Sequence, residues 1–267
     1  MELLAVSVGN TRTRWGLFRG RGGRDLELSG AFPNADPAAI VAAILAAPVV
    51  NHATPIVIAS VNDPASATLI DRLTPPIKAR GGELFRLGSD LEIPIETTLT
   101  DERTVGQDRL LDAIGAYARA KQACIVIDAG TAITVDFVDG QGVFQGGVIA
   151  PGLAMMLQSL HEGTAALPSL PLEAPQGPEP WGKDTRSAML AGVFAAARGL
   201  VHLQIDRYAD AYGAYPQIVA TGGDARVLFE NDDLVENIVP DLTLMGIQAA
   251  CAAQLGGDGA DGGGPEL

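Results

Sequence analysis

The 267-residue chain has few of the residues from which metal centres and disulfide frameworks are built. Its two cysteines and three histidines are scattered, without CxxC or Cys/His spacing, so no zinc site or disulfide framework is readable. Lys and Arg number 18 against 32 Asp and Glu, for a formal net charge of −14. The chain therefore lacks the basic footprint of a general nucleic-acid binder, although backbone amides and one or two cations can still hold a phosphate locally.

Long apolar runs are also missing. The longest, residues 38–50, contains Pro48 and is too short to cross a bilayer, so no membrane partner is expected. No basic segment precedes the first apolar stretch, MELLAVSV, so a signal peptide is not expected either. The sequence predicts a cytoplasmic protein.

What the sequence does contain is an α/β pattern that occurs twice. A strand over residues 3–8, a Gly9-Asn10 turn and a strand over 14–18 are repeated by strands over 125–128 and 133–138 around Gly130-Thr131. Further strands are predicted over 55–60, 143–144 and 218–221, and helices over 37–47, 66–73, 108–120, 152–161, 185–212 and 243–255. The repeat predicts two related α/β halves, with mixed sheets flanked by helices and a ligand cleft between them.

The domain boundaries follow from the same pattern. We expect an N-terminal half over residues 1–115 and a C-terminal half over 116–255. Residues 256–267 are rich in glycine and have no apolar periodicity, which predicts a disordered tail.

Two turns have the composition of a phosphate site. SVGNT (7–11), followed by Arg14, can direct backbone N–H groups and a hydroxyl at a phosphate, although an ordinary hairpin turn has the same residues. DAGT (128–131) is an element of the same type. An Asp at the end of a buried strand is costly unless it binds a cation or turn amides. The presence of two such turns favours a site that binds the two ends of a polyphosphate.

Other short segments also suggest chemistry. GQDR (106–109) begins an amphipathic helix, where Asp108 is either a favourable first-turn acid or a general base for phosphoryl transfer to a hydroxyl. GGVIAPG (146–152) and TGGDA (221–225) are interpreted as glycine-rich bends, either tight connections or places where a nucleotide approaches the backbone. GKDT (182–185) begins the long helix, with Thr185 as the expected N-cap.

In order and spacing, these segments resemble the motifs of type III pantothenate kinases, in the acetate and sugar kinase, heat-shock and actin-like ATPase superfamily. The resemblance covers about residues 3–255. It implies two ribonuclease-H-like halves, a homodimer, and a requirement for ATP, Mg²⁺ and K⁺ or NH₄⁺. The implied reaction is phosphorylation of the terminal hydroxyl of pantothenate to 4'-phosphopantothenate, the first step of coenzyme A synthesis.

The resemblance also assigns roles by position. Asp108 would be the base and Asp128 would hold the monovalent cation. The implied nucleotide-binding residues are Ser7, Val8, Gly9, Asn10, Thr11, Arg12, Thr13, Arg14, Thr131, Gly222 and Gly223. The implied pantothenate-binding residues are Gly106, Gln107, Asp108, Arg109 and Thr185.

The chain departs from the family pattern in several places. Ser7 stands where the family has an Asp that organises Mg²⁺ and the transferring phosphate, so a charge is lost where charge neutralisation matters. Leu99 aligns with a family Tyr, Asp101-Glu102 replaces the usual Asn-Pro, and Arg14 replaces a frequent Lys. These departures leave two alternatives, a non-catalytic nucleotide- or pantothenate-binding regulator and a kinase of another small alcohol.

Overall fold

The computed structural model describes residues 2–20, 24–48, 54–177, 179–235 and 237–255. These residues form two compact units. Unit 1 contains those within 1–96, 101–118 and 242–267, and unit 2 contains those within 97–100 and 119–241. The expected tail, 256–267, lies outside the described residues.

Each unit contains a five-stranded mixed sheet. The strands of unit 1 are β1 (Leu3–Val8), β2 (Arg12–Arg19), β3 (Asp25–Pro33), β4 (Ile56–Ser60) and β5 (Leu84–Arg86). Those of unit 2 are β6 (Cys124–Ala129), β7 (Ala132–Val138), β8 (Phe144–Pro151), β9 (Gln217–Thr221) and β10 (Asn237–Ile238). The helices are α1 (Pro37–Ala46), α2 (Asp63–Ala79), α3 (Gln107–Ala120), α4 (Leu153–Glu162), α5 (Thr185–Tyr212), α6 (Ala225–Phe229) and α7 (Leu242–Leu255).

The two sheets have the same topology. The first has the order β3-β2-β1-β4-β5, and the second has the order β8-β7-β6-β9-β10 when read in the same direction. In each, the first three strands of the unit pair antiparallel as a meander, and the fourth and fifth add in parallel on the other side of the first. The predicted pair of related α/β halves with mixed sheets is therefore confirmed.

The core of unit 1 lies on both faces of its sheet. Alternate residues of β1 point to opposite faces, so that Leu4 and Val6 pack with α1 and α2, while Leu3 and Ala5 pack with residues of α3 and α7. This explains why β1 is a continuous apolar run, since a strand covered on both faces has no polar side. In unit 2, the core contains Ile125 and Ile127 of β6 together with α4, α5 and α6.

Helix α7 corrects the predicted division of the chain. It follows unit 2 in sequence, but it belongs to unit 1, where Leu244 and Ile247 are fully buried. Gly246 permits this, because a Cβ there would collide with the Leu111 carbonyl of α3. Sequence proximity assigned α7 to the C-terminal half, whereas the apolar surface of unit 1 determines where it packs.

Several predicted elements also change. Helix α2 is longer than expected because Asn62 caps it and Leu69, Leu73 and Ile77 continue one buried face through Pro75 and Pro76. The expected bend over 146–152 is mostly strand β8, whose Gly147 lies too close to Asp136 for a side chain. Strands β3 and β5 were not predicted. The N-cap of α5 is Asp184 rather than Thr185, because the Asp184 carboxylate and the Ser187 hydroxyl form a capping box.

Helix α5 is long and apolar enough to cross a membrane by length and composition alone. Its apolar face contributes Met189, Val193, Ala197 and Val201 to the core of unit 2. The core helix of a globular protein passes the same test, so its apolar character is accounted for by packing.

Candidate functional site

The first predicted phosphate turn joins β1 to β2. The Gly9 N–H donates to the Arg12 carbonyl at 3.0 Å, and Asn10, Thr11 and Arg12 are exposed. Two of the predicted nucleotide residues turn inward instead. Val8 is buried in the core, and Thr13 is 1% exposed and donates its hydroxyl to Asn34 at 2.8 Å. Only the backbone of these two residues could face a ligand.

The second predicted turn occupies the equivalent place in unit 2. Asp128 is the second-last residue of β6, as Ser7 is of β1, and each is paired with both the second and the fourth strand of its unit. Ser7 and its cross-strand partner Arg14 therefore have side chains on one face of the sheet. The two halves differ in that one has a carboxylate at this position and the other has a hydroxyl.

Two glycines around the DAGT turn, Gly152 and Gly222, have no room for a side chain. Gly222 has φ +98°, and a Cβ there would collide with the Asp128 carboxylate and the Ala129 carbonyl. A Cβ at Gly152 would collide with the Gly130 carbonyl. The structure thus brings Asp128, Gly222 and the DAGT turn together. Thr131 and Gly223 are exposed beside them.

Asp224 follows these glycines and begins α6. Its backbone N–H donates to the Ala129 carbonyl at 2.9 Å, which ties the TGGDA segment to the DAGT turn. Burial raises the pKa of the Asp224 carboxyl. No group of three or more His, Cys, Asp or Glu that could hold a metal occurs in the part of the chain that the structure describes, so any cation at Asp128 would need carbonyl or hydroxyl oxygens as further ligands.

The predicted base lies at the beginning of α3. Asp108 is half-buried, its Oδ1 accepts from the Arg109 backbone N–H at 2.8 Å, and a Cβ at Gly106 would lie 2.5 Å from this oxygen. Burial raises the pKa of the Asp108 carboxyl above its usual range, against the opposing effects of the Arg109 N–H and guanidinium. A carboxyl with a raised pKa is a better proton acceptor than an ordinary Asp.

The side-chain amide of Gln107 forms two hydrogen bonds with the backbone of unit 1. Its Oε1 accepts from the Ser60 N–H at 3.3 Å, and its Nε2 donates to the Leu87 carbonyl at 3.1 Å. The side chain therefore connects the ends of β4 and β5 to the beginning of α3, and these two bonds fix the orientation of its amide group.

A pocket of about 530 Å³ lies beside these residues in unit 1. It brings Asn10 of the first turn together with Gly106 of the GQDR segment, which are far apart in sequence. Its lining residues are Asn10, Ser60, Val61, Asn62, Asp63, Pro64, Thr104, Val105, Gly106 and Gln107.

The remaining predicted positions lie in unit 2 or on its borders. Thr185 is exposed at the first residue of α5. Leu99 packs against Gly146 of β8, where a Cβ would lie 3.3 Å from the Leu99 Cδ2. Asp101 is held by Arg103, whose guanidinium Nε donates to it at 2.9 Å and lowers the pKa of its carboxyl.

Two asparagines that the sequence did not point to, Asn34 and Asn62, contact the first turn. Asn34 Nδ2 donates to the Gly9 carbonyl at 2.8 Å, and Asn62 Nδ2 donates to the Asn10 carbonyl at 3.1 Å. Asn62 lies in the loop between β4 and α2, and Asn34 directly follows β3, a strand that was not predicted.

Solved structures show the same fold at low identity. The chain matches a protein described as a Baf-family transcriptional activator from Campylobacter jejuni, with a TM-score of 0.55, 19% identity, and coverage of 95% of this chain and 99% of the other. It also matches the activator of 2-hydroxyisocaproyl-CoA dehydratase from Clostridium difficile with bound ADPNP, with a TM-score of 0.55, 11% identity, and full coverage of both chains. These two likenesses show the fold alone.

Sequence relatives are more specific. The chain is 38% identical over 170 residues to a type III pantothenate kinase of Akkermansia muciniphila, covering 64% of this chain and 67% of that protein. It is 36% identical over 161 residues to one of Caulobacter vibrioides, covering 60% and 62%, so the match spans less than two thirds of that relative. The family profile of type III pantothenate kinase matches residues 3–207. The chain therefore belongs to the type III pantothenate kinase family, whose members phosphorylate pantothenate in coenzyme A biosynthesis.

Proposed function

We propose that this chain transfers the γ-phosphate of ATP to the terminal hydroxyl of pantothenate, forming 4'-phosphopantothenate and ADP. The observation that carries the proposal is the placement of Asp108. Its half-buried carboxylate lies next to Gly106, which lines the 530 Å³ pocket together with Asn10 of the first turn. Phosphoryl transfer to an alcohol requires a base close to a phosphate site, and here the proposed base lies beside a pocket that the first turn helps to line.

Each group would have a defined task. Asp108 accepts the proton of the attacking hydroxyl. The N–H groups of the first turn stabilise negative charge on the phosphates, and Gly222 and Gly223 permit the nucleoside to approach the backbone. Arg109 and Thr185 are proposed as pantothenate contacts by position in the family. Because Gln107 is held by Ser60 and Leu87, we assign it to positioning α3.

Two cations belong to the proposal. Mg²⁺ enters with the nucleotide as MgATP. A monovalent cation, K⁺ or NH₄⁺, would be held at Asp128, where a half-buried carboxylate lies among close backbone oxygens. Replacing K⁺ by a bulky organic cation should lower turnover in wild type, and Asp128→Asn should remove this dependence.

The test of the reaction is ADP release from MgATP with and without pantothenate. We expect release that depends on pantothenate in wild type, and a loss of about 10²-fold or more in kcat for Asp108→Asn, since general-base catalysis contributes about 10²–10⁴-fold. Undiminished turnover in Asp108→Asn would contradict the assignment of the base, and ADP release without pantothenate dependence would contradict the substrate.

A second function is favoured by Ser7. With a hydroxyl where the other half has the Asp128 carboxylate, the chain could bind nucleotide or pantothenate as a regulator without turnover. Ser7→Asp decides between the two. The regulator is favoured if wild type binds ATP without measurable reaction and Ser7→Asp raises turnover by about 10²-fold, which is the effect of a single electrostatic group. Substantial wild-type turnover would favour the kinase.

Three finer assignments complete the proposal. Because Leu99 stands where the family has a Tyr, the acceptor could be another small alcohol. Faster turnover with shorter hydroxy amides than with pantothenate would reveal this. A homodimer is proposed on the family resemblance, and sedimentation at micromolar concentration tests it. A cytoplasmic location is proposed because this reaction uses cytoplasmic ATP.

A further inference from the structure

We propose that Asn34 and Asn62 are positioning residues that orient the peptide groups of the first turn, so that its N–H groups face the phosphates of the nucleotide. This inference rests on the proposed ATP-dependent function and adds two residues to it. Both asparagines lie outside the β1–β2 hairpin, because one follows β3 and the other follows β4.

The contacts all go to carbonyl oxygens of the turn. Asn34 Nδ2 lies 2.8 Å from the Gly9 oxygen and 3.2 Å from the Asn10 oxygen, and Asn62 Nδ2 lies 3.1 Å from that same Asn10 oxygen. The Asn34 backbone N–H binds the Thr11 oxygen at 3.0 Å. Three consecutive carbonyl groups are thus drawn toward the two asparagines.

Because the peptide group is planar and trans, the positions of these carbonyl oxygens also fix the directions of the neighbouring N–H groups. In a trans peptide, the C=O and the following N–H point in opposite directions. Holding the Gly9 and Asn10 oxygens on the asparagine side therefore directs the N–H groups of Asn10 and Thr11 to the opposite side. Carbonyl dipoles would repel a polyphosphate, whereas successive N–H groups form an anion-binding concavity.

The second half of the molecule shows which part of this arrangement both halves share. In unit 2, the Thr131 carbonyl accepts from the Gly152 N–H at 3.1 Å, and the Ala129 carbonyl, at the end of β6, accepts from the Asp224 N–H at 2.9 Å. Unit 1 has the equivalent backbone bonds, from the Asn34 N–H to the Thr11 carbonyl and from the Val61 N–H to the Val8 carbonyl, both at 3.0 Å. In unit 1, the side-chain amides of Asn34 and Asn62 add contacts with the Gly9 and Asn10 carbonyls, which are the peptide groups that precede the N–H groups of Asn10 and Thr11.

Asn62 has a second role that the experiment must separate from the first. Its Oδ1 accepts from the Ala65 N–H at 3.1 Å and caps α2. Ser caps helices about as well as Asn and is uncharged, but its hydroxyl is too short to donate to the Asn10 carbonyl. Asn62→Ser therefore keeps the cap and removes the contact with the turn. Asp36→Ser is the matched control, because Asp36 caps α1 through the Ala39 N–H.

The measurement is the Kd for a non-hydrolysable ATP analogue, together with the KM values for ATP and pantothenate and the thermal midpoint. For Asn62→Ser and for Asn34→Ala, we expect a Kd for nucleotide and a KM for ATP that rise about five- to tenfold, which is the scale of one lost hydrogen bond. The KM for pantothenate should stay within twofold in Asn62→Ser, and its thermal midpoint should match that of Asp36→Ser. Asp36→Ser should leave the nucleotide Kd unchanged.

Four outcomes would overturn the inference. Unchanged nucleotide affinity in a folded Asn62→Ser would show that the contact does not position the turn, while leaving the proposed function intact. Equal losses for ATP and pantothenate, or a nucleotide Kd that changes as much in Asp36→Ser, would indicate a general structural role. A wild type that does not bind the analogue would refute the proposed function, and this inference with it.

Discussion

At the scale of single residues, the carboxylate of Asp108 is the group on which function and stability oppose each other. Its burial favours the neutral form, and this raises its pKa in the folded protein. The proposed base must be ionised to accept a proton, so this role requires a partly desolvated charge in the folded chain. Such conflicts between local stability and chemistry are concentrated at functional sites.

The stability of Asp108→Asn should therefore depend on pH with a definite sign. A carboxyl whose folded pKa is raised contributes stability below the unfolded pKa, and this contribution is lost as the pH rises through the folded pKa. At pH 7, we expect Asp108→Asn to have a higher thermal midpoint than wild type, and the difference should vanish below about pH 4. Calorimetry across this pH range measures it.

Asp101→Asn provides the control of opposite sign. The Arg103 guanidinium lowers the pKa of Asp101, so its contribution is present above the unfolded pKa and lost as the pH falls. This exposed pair should contribute little, and its removal should slightly lower the midpoint at pH 7. An Asp108→Asn protein less stable than wild type at pH 7 would show that the carboxylate is not held under strain.

At the scale of elements, helix packing positions Asp108, the proposed base. Helix α3 begins with the segment that carries Asp108, and α7 lies against it closely enough that Gly115 and Gly246 have no room for side chains. Asp112 of α3 also accepts a hydrogen bond from the Thr243 hydroxyl of α7 at 2.7 Å. The position of the segment that contains Asp108 therefore depends on α7.

Glycine substitutions distinguish close packing from mere flexibility. A Cβ at Gly246 would collide with the backbone of Leu111, so Gly246→Ala should lower the free energy of unfolding by about 3 kcal/mol, the upper range for overpacking. Gly199 in α5 has nothing within 4 Å of such a Cβ. Gly199→Ala should instead stabilise the chain by about 0.5–1 kcal/mol. Urea titration measures both, and equal effects would contradict this packing argument.

At the scale of the whole molecule, the chain is a duplicated fold whose last helix returns to the first half. Unit 1 buries Leu244, Ile247, Ala250 and Cys251 completely. Fully burying a large apolar side chain contributes about 1.5–3 kcal/mol, so α7 supplies a sizeable part of the about 5–15 kcal/mol that stabilises a typical domain.

Truncation tests this dependence. A chain that ends after Asp241 should lose the cooperative unfolding of unit 1 and its kinase activity, because the sheet face containing Leu3 and Ala5 loses its cover. A chain that ends after Leu255 should keep both. Near-UV circular dichroism, which detects the packing of Trp15 in unit 1, and urea unfolding provide the measurements. Normal unfolding of the shorter chain would mean that α7 is dispensable.

Much of the fold could be predicted because its signals are local. Apolar runs such as those of β1 and β6, turn residues after them, and the periodicity of α3 and α5 depend only on neighbouring residues. Strands β3 and β5 escaped prediction because they are the two opposite edge strands of the unit 1 sheet and are half-exposed or exposed along their length. Their strand character depends on partners that are distant in sequence.

The sequence by itself determined the family and the duplicated α/β architecture, because each depends on short segments in a fixed order, and the same segments led to Asp108 as the proposed base. Only the tertiary structure decided that α7 completes unit 1, that Val8 and Thr13 turn inward, and that Asn34 and Asn62 hold the carbonyls of the first turn. These facts depend on which surfaces remain uncovered and which carbonyl groups lack a backbone partner. Both are properties of the folded chain that no local pattern encodes.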